Sequence, residues 1–383
     1  MLYLILEQMK KSVVVFLSAA LVTAGLACRA ARPNLAPRPE ALGFPLMEAS
    51  ALPFEGTANG PVTVRYGVAY FTTIEGSLYS IDVLSRRILW RFKADGPVPA
   101  APELGDDSLL LRDERNSIYV LNLDGRVILK TASADPVTTP VRERRGRIYY
   151  GCGNGRIAAL DLLKNGRPVW EFEAGARVSS GPVFSGAFAI FGTEDGRLIA
   201  LNDDGRPCWT FAAKGAIRVD PAAAAGDICF GTSEHYFYGL AAATGKKKWL
   251  FRLGGAPLHP PVIVGKRLVF AASDSIVYCL SARSGEILWW QAVPSRVILG
   301  PSMAEGIVLV PALSPGVFAY DLRAGRPIAS YRAENDLQAG AQWVTPYLFL
   351  IETDPTSGGE RIVFLKHDRR PVKTSGEASP IRR

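Results

Sequence analysis

A phrase running from Asp195 to Phe211 returns through most of the chain. Its second half, Asp204-Gly-Arg-Pro-Cys-Trp-Thr-Phe211, is matched by Asn165-Gly-Arg-Pro-Val-Trp-Glu-Phe172, Thr244-Gly-Lys-Lys-Lys-Trp-Leu-Phe251 and Ser284-Gly-Glu-Ile-Leu-Trp289. Superposed, the tryptophan slot reads Trp90, Leu129, Trp170, Trp209, Trp249, Trp289, Ala329, in steps of 39, 41, 39, 40, 40 and 40 residues. So regular a period constrains the fold before any single residue does, because each unit must bury its faces against its neighbours.

Every unit opens on a proline: Pro61, Pro102, Pro140, Pro182, Pro221, Pro261, Pro301 and Pro346, eight in all. A strand introduced by glycine follows, as in Gly186-Ala-Phe-Ala-Ile-Phe-Gly192. After a Gly-containing turn (Glu75-Gly76, Asn154-Gly155, Asp195-Gly196) comes a second strand of fixed rhythm: bulky, small, bulky. Examples are Tyr79-Ser-Ile81, Ile199-Ala-Leu201 and Tyr278-Cys-Leu280. That strand ends in Asp82, Asn122, Asp161, Asn202, Ser281 or Asp321, with Gly usually close behind, which suits a tight hairpin. The tryptophan-slot strand closes the unit. No segment runs twelve residues at helical period. Four short strands in about 40 residues make a propeller blade. The expected fold is therefore all-β: an eight-bladed β-propeller of four-stranded antiparallel blades.

Ala-Leu-Asp, then Gly, then Trp, repeated over roughly residues 60–366, resembles the pyrroloquinoline-quinone-like propeller repeat. WD40 is disfavoured, because no Trp-Asp dipeptide closes a unit, and kelch by the lack of repeated Gly-Gly. A chain of this size is similar to the BamB family of outer-membrane barrel-assembly lipoproteins. The resemblance implies a docking scaffold without catalytic residues or cofactor, and partners among envelope proteins such as the barrel-assembly machinery. True quinone dehydrogenases of the superfamily are larger, and carry an adjacent Cys-Cys and a calcium-binding set. This chain has no Cys-Cys pair.

Met9 to Cys28 reads as an export signal: two lysines, an apolar run and small residues at its end. Gly25-Leu26-Ala27-Cys28 resembles a bacterial lipobox and departs from it at Gly25, where Leu is usual. Lipidation of Cys28 would anchor the chain to a membrane, with a plain cleaved secretory signal as the alternative. The expected divisions are a signal peptide (1–27), a Pro/Arg-rich tether (28–42), the propeller (43–374) and a disordered tail (375–383). An exported, periplasm-facing monomer on the outer membrane follows. Two segments compete for the outer strand of the eighth blade: the lone strand between Gly43 and Phe54, which is favoured, and Arg369-Arg-Pro-Val-Lys-Thr374.

Of the net charge of +8, residues 1–27 carry +1, 28–40 carry +2 and 366–383 carry +4, which leaves +1 for the propeller body. Basicity at the ends fits anionic headgroups better than a nucleic-acid groove. No nucleic-acid partner is expected. Cys152, Cys208, Cys229 and Cys279 fall at different register positions in successive units, which favours buried thiols over disulfides. The three histidines, His235, His259 and His367, lack metal-ligand spacing, so no metal is expected. His235 belongs to an exposed turn. The repeated strand-end Asp residues read as turn caps, not as a carboxylate ring.

What remains is surface. Three blade-to-blade links carry Arg beside apolar residues: Arg177-Val178, Arg218-Val219 and Arg296-Val297-Ile298-Leu299. The seventh link, Ser330–Thr345, is about five residues longer than the others and contains Trp343. Arg177, Arg218, Arg296, Val297, Ile298 and Trp343 are therefore the expected partner-binding residues, on an exposed interface. The rival readings are a small ligand or glycan in the central funnel and, less favoured, a quinoprotein dehydrogenase.

Overall fold

The computed structural model describes residues 43–368 apart from 314, 315 and 355. The segments expected to be a signal peptide (1–27), a tether with Cys28 (28–42) and a tail (375–383), and the competing outer-strand segment 369–374, lie outside the described residues. Thirty-two strands form eight antiparallel sheets of four, a complete eight-bladed propeller. In blade 4 the strands, from the axis outward, are Val178–Ser185, Phe188–Thr193, Arg197–Leu201 and Pro207–Ala212. The two middle strands of each blade are buried on both faces, which is why they read as unbroken apolar runs. Outer strands such as Arg167–Glu173 are covered on one face at most, and their burial alternates. Eight apolar clusters fill the eight gaps between blades. One joins Ile190, Leu198 and Ala200 of blade 4 to Ile228, Phe230 and Tyr238 of blade 5.

The repeated phrase encodes a lock between blades. The small residue of each third strand lies directly opposite its blade's tryptophan: Ser80 faces Trp90, Ala159 faces Trp170, Gly239 faces Trp249 and Cys279 faces Trp289. The small residue thus makes room for the indole within its own sheet. The indole then reaches the next blade. Trp90, Trp170, Trp209, Trp249 and Trp289 donate Nε1–H to the carbonyls of Leu123, Asp203, Ala242, Ala282 and Leu322 at 2.9–3.0 Å, each 33 residues ahead. Each ring also covers the hairpin glycine of that blade, as Trp249 covers Gly285, whose φ of +71° only glycine adopts readily. Leu129 packs on Gly166 in the same way. Trp249 and Trp289 are buried; Trp90, Trp170 and Trp209 are half-buried.

The strand-end Asx residues cap these hairpins. Asn122 Oδ1 accepts the N–H groups of Asp124 and Arg126, Asn202 those of Asp204 and Arg206, and Asp321 those of Arg323 and Ala324. Their carboxylates and amides are used locally, which accounts for their even spacing.

The N-terminal strand closes the ring. Leu46–Phe54 pairs with Glu360–His367 as the outer strand of blade 8, whose other strands are Leu337–Val344 and Tyr347–Thr353. The last sheet is therefore built from both ends of the chain and has no free outer strand of its own. Glu360 Oε2 accepts the Ala58 N–H at 2.7 Å across the closing gap. Burial pushes the Glu360 carboxyl up from about 4.5, against the pull of that hydrogen bond. A raised folded-state value means a contribution to stability that is complete below the unfolded value and is lost as pH rises through the folded one. The melting temperature of the wild type relative to Glu360→Gln, which keeps the acceptor, should fall as pH rises from about 4.5 toward neutrality. A difference that does not change with pH would refute this.

Candidate functional site

One face of the ring carries both the blade-to-blade links and the hairpins between second and third strands. A single hydrogen bond fixes this in every blade, from a hairpin N–H to a link carbonyl. The acceptors in chain order are Thr57, Pro97, Pro136, Arg177, Ala216, Ala256, Arg296 and Asp336. Tyrosines of the third-strand rhythm add a second tie: Tyr79, Tyr119 and Tyr238 hydroxyls accept the link N–H groups of Glu55, Asp95 and Lys214.

The residue after each of those carbonyls is an apolar plug beneath the link. Val98, Val137, Val178, Ile217, Pro257, Val297 and Leu337 fall at this place and are all buried. This corrects the expectation of exposed apolar side chains beside arginine. Val297 is 1% exposed and fills the core between blades 6 and 7. Arg177 and Arg296 occupy equivalent places just before the plug, are exposed, and make no ion pair among the described residues. Arg218 follows the plug and is paired with Glu194 at 2.6 Å. Ile298 is half-buried against the blade 7–8 core. Trp343 is also corrected: it is half-buried in the inner strand of blade 8, opposite Leu348, packed on the same core. The seventh link is no longer than the others: four residues separate Arg332 from Leu337, as four separate Glu173 from Val178, and the eight-residue inner strand matches that of blade 4, while Pro346 stands in the turn after this strand and not at its start.

Between blades 6 and 7 this face opens into a groove of about 250 Å³, lined by Leu258, His259, Arg296, Val297, Ile298 and Leu313. In blades 3 and 4 the residue after the plug is Thr138 or Ser179, whose hydroxyl is spent on the carbonyl of the next plug, Val178 or Ile217. Blades 6 and 7 carry Leu258 and Ile298 there instead, so the groove is apolar. Leu313 is 58% exposed beside it. Burial pushes the His259 imidazole down, and the Arg296 charge adds to this, so Arg296 is the groove's cation at neutral pH.

One side of the central channel, along blades 2 to 5, is laced by a single arginine. Arg142 donates to Glu103 of blade 2 at 3.0 Å, to the Pro182 carbonyl of blade 4 at 2.7 Å, and to Asp220 of blade 5 at 2.8 Å. The inner strands of these consecutive blades converge at the channel wall, so one long side chain from blade 3 reaches all three. Burial opposes its charge, but Asp220 and Glu103 hold the guanidinium above its usual range. Asp220 also accepts the Gly181 N–H at 2.7 Å.

Among the described residues no group of three or more His, Cys, Asp or Glu side chains could hold a metal. Cys152, Cys229 and Cys279 are buried free thiols, and burial pushes Cys229 and Cys279 up to about 12, far from thiolate reactivity. Cys208 differs from expectation: it is exposed, on the face of its outer strand turned away from the next blade. His235 lies in an exposed turn with φ of 64°.

The crystal structure of BamB from Moraxella catarrhalis superposes with a TM-score of 0.69 at 16% identity, covering 84% of this chain and 99% of that one. The computationally designed Ika8 protein superposes with a TM-score of 0.72 at 14% identity, covering 83% and 99%. No curated protein matches the chain by sequence. The family model described as outer membrane protein assembly factor BamB matches residues 48–163, 153–259 and 251–348, most of the chain, and with the blade lock and ring closure above it places this protein in that family.

Proposed function

We propose that this protein is a non-enzymatic scaffold, exported and held on the outer membrane by a lipid at Cys28, which docks other envelope proteins through its link face. The role is BamB-like: support of outer-membrane protein assembly. The observation that carries this reading is the apolar groove of blades 6 and 7, with exposed Leu313, half-buried Ile298 and Arg296, which makes no ion pair among the described residues. Strand interiors are consumed by blade packing. The groove is the place where apolar surface and the Arg296 charge meet. Such anchors dominate binding when they lie at the centre of an interface, and contribute little to folding when exposed.

The test is recovery of partners from solubilised membranes, read by mass spectrometry. Leu313→Asp and Arg296→Glu should each lower recovery of a barrel-assembly subunit about tenfold, since loss of an anchor costs about 1–2 kcal/mol or more. Their melting temperatures should stay at the wild-type value. Leu163→Asp, on the opposite face and 89% exposed, should recover the subunit normally. Equal recovery by all three variants would place docking elsewhere. Cys28→Ala should shift the protein to the soluble fraction; unchanged membrane association would rule out that anchor.

A further inference from the structure

Blade 2 breaks a pattern that its neighbours keep. The residue closing the second-strand ladder is Thr72 in blade 1, then Gly151, Gly192, Gly231, Ala271 and Pro311 in blades 3 to 7, defined by pairing with Leu78, Ile157, Leu198, Phe237, Val277 and Val317. The glycines leave room for the plug of the next blade: a Cβ on Gly151, Gly192 or Gly231 would collide with Val178, Ile217 or Pro257. At this crowded place blade 2 carries Arg112, paired with Ile118.

Packing does not explain an arginine there, and neither does a local acid. Arg112 Nε donates to the Thr139 carbonyl at 3.2 Å, and its guanidinium makes no ion pair among the described residues. Arg177, from the next link, comes back over the blade 3 hairpin. Its Nη1 and the Thr138 methyl each lie 3.3 Å from where a Cβ on Gly153 would stand. The two guanidinium groups thus reach the Thr138–Thr139 segment from two sides of the link face, close enough for the Arg177 charge to act on Arg112.

The acids nearby are committed. Asp113 accepts the Tyr119 hydroxyl at 3.0 Å and the N–H groups of Arg115 and Ser117. Asp135 holds Arg156 at 2.7 Å, and Glu103 and Asp220 hold Arg142. Glu114 is exposed and offsets the field only in part. Burial pulls Arg112 below the usual guanidinium range and Arg177 adds to this, while Glu114, the stronger of the charges, and Asp113 oppose it without forming an ion pair with Arg112 among the described residues. A half-buried cation with a like charge beside it is costly unless an anion joins it.

We propose that Arg112 and Arg177 form an oxyanion site that takes a carboxylate side chain of the docked protein. This rests on the docking role proposed above. Two planar forks suit a planar two-oxygen group, and the site shares its face with the apolar groove. A partner segment with an acidic residue and an apolar anchor would be read by both.

The site can be tested without a partner. Purified protein is melted in chloride buffer of fixed ionic strength while a short blocked peptide containing two glutamates is titrated, with inorganic phosphate as the second probe. The peptide should raise the wild-type melting temperature, as any ligand of the native state does. Arg112→Thr, which copies blade 1, and Arg177→Gln should each weaken the peptide about tenfold. Arg112→Thr without peptide should melt no lower than wild type, because a half-buried charge without an ion-pair partner among the described residues leaves with the side chain. Leu313→Asp keeps both arginines and should keep the peptide shift, so failure of the groove and failure of this site are told apart. An equal shift in wild type and Arg112→Thr would overturn the proposal. So would a shift with phosphate and none with peptide, or an Arg112→Thr protein that melts far lower yet responds normally.

Discussion

Trp249→Ala should destabilise the protein by about 3–5 kcal/mol in denaturant melts, the range for removing a large aromatic from a core. The expectation has three parts on the page. The ring is 8% exposed, its Nε1–H satisfies the Ala282 carbonyl at 3.0 Å, and it covers both Gly239 in its own sheet and Gly285 in the next. Neither glycine can close the void, because neither has a side chain to move into it. The Ala282 carbonyl would also lose its donor. Trp290 makes the control, since it lies on an outer strand, is turned outward and is 56% exposed. Trp290→Ala should change stability by no more than about 0.5 kcal/mol. Equal effects at the two positions would mean that the lock is not what joins blades 5 and 6.

Arg142→Ala should destabilise the protein by about 2–3 kcal/mol, less than the range of about 3–5 kcal/mol for breaking a fully buried pair, because Arg142 and Glu103 are half-buried while only Asp220 is nearly buried. Asp220 would keep only the Gly181 N–H, and Glu103 would lose its cation. The effect should be largely recovered when Asp220 is replaced by Asn in the same protein, because the stranded charge then disappears. A double-mutant cycle between positions 142 and 220 measures this coupling directly. Additive losses would show that the two side chains do not depend on each other.

Much of the fold was legible because it is local. The period, the proline starts and the Asx-Gly hairpins each lie within one unit, and all eight sheets follow from them. The partner of each small residue was also in view, although its role was not. Ser80 or Gly239 makes space for its own blade's indole, and the contact with the next blade is made by the indole itself. The buried state of Val297 could have been read from the chain, since an apolar residue recurs eight positions after every tryptophan slot. Its neighbour Arg296 drew attention away from that register. Trp343 was misplaced for another reason: Pro346 stands in the turn after the inner strand of blade 8, not at its start, so counting to it makes the seventh link look longer than it is. The Arg142 contacts were beyond reach, because Glu103 and Asp220 lie 39 and 78 residues away and no pattern joins them. Arg112 stood out only once pairing showed which residues share its place.

The docking role is tested most directly by photocrosslinking in intact envelopes. A photoreactive residue is placed at Leu313, on the link face, or at Leu163, in the hairpin of the opposite face; both are exposed and neither is in the core. The account predicts a strong adduct with one envelope protein from position 313, lost when Arg296→Glu is added, and none from position 163. An adduct with that protein from position 163, with position 313 silent, would contradict it.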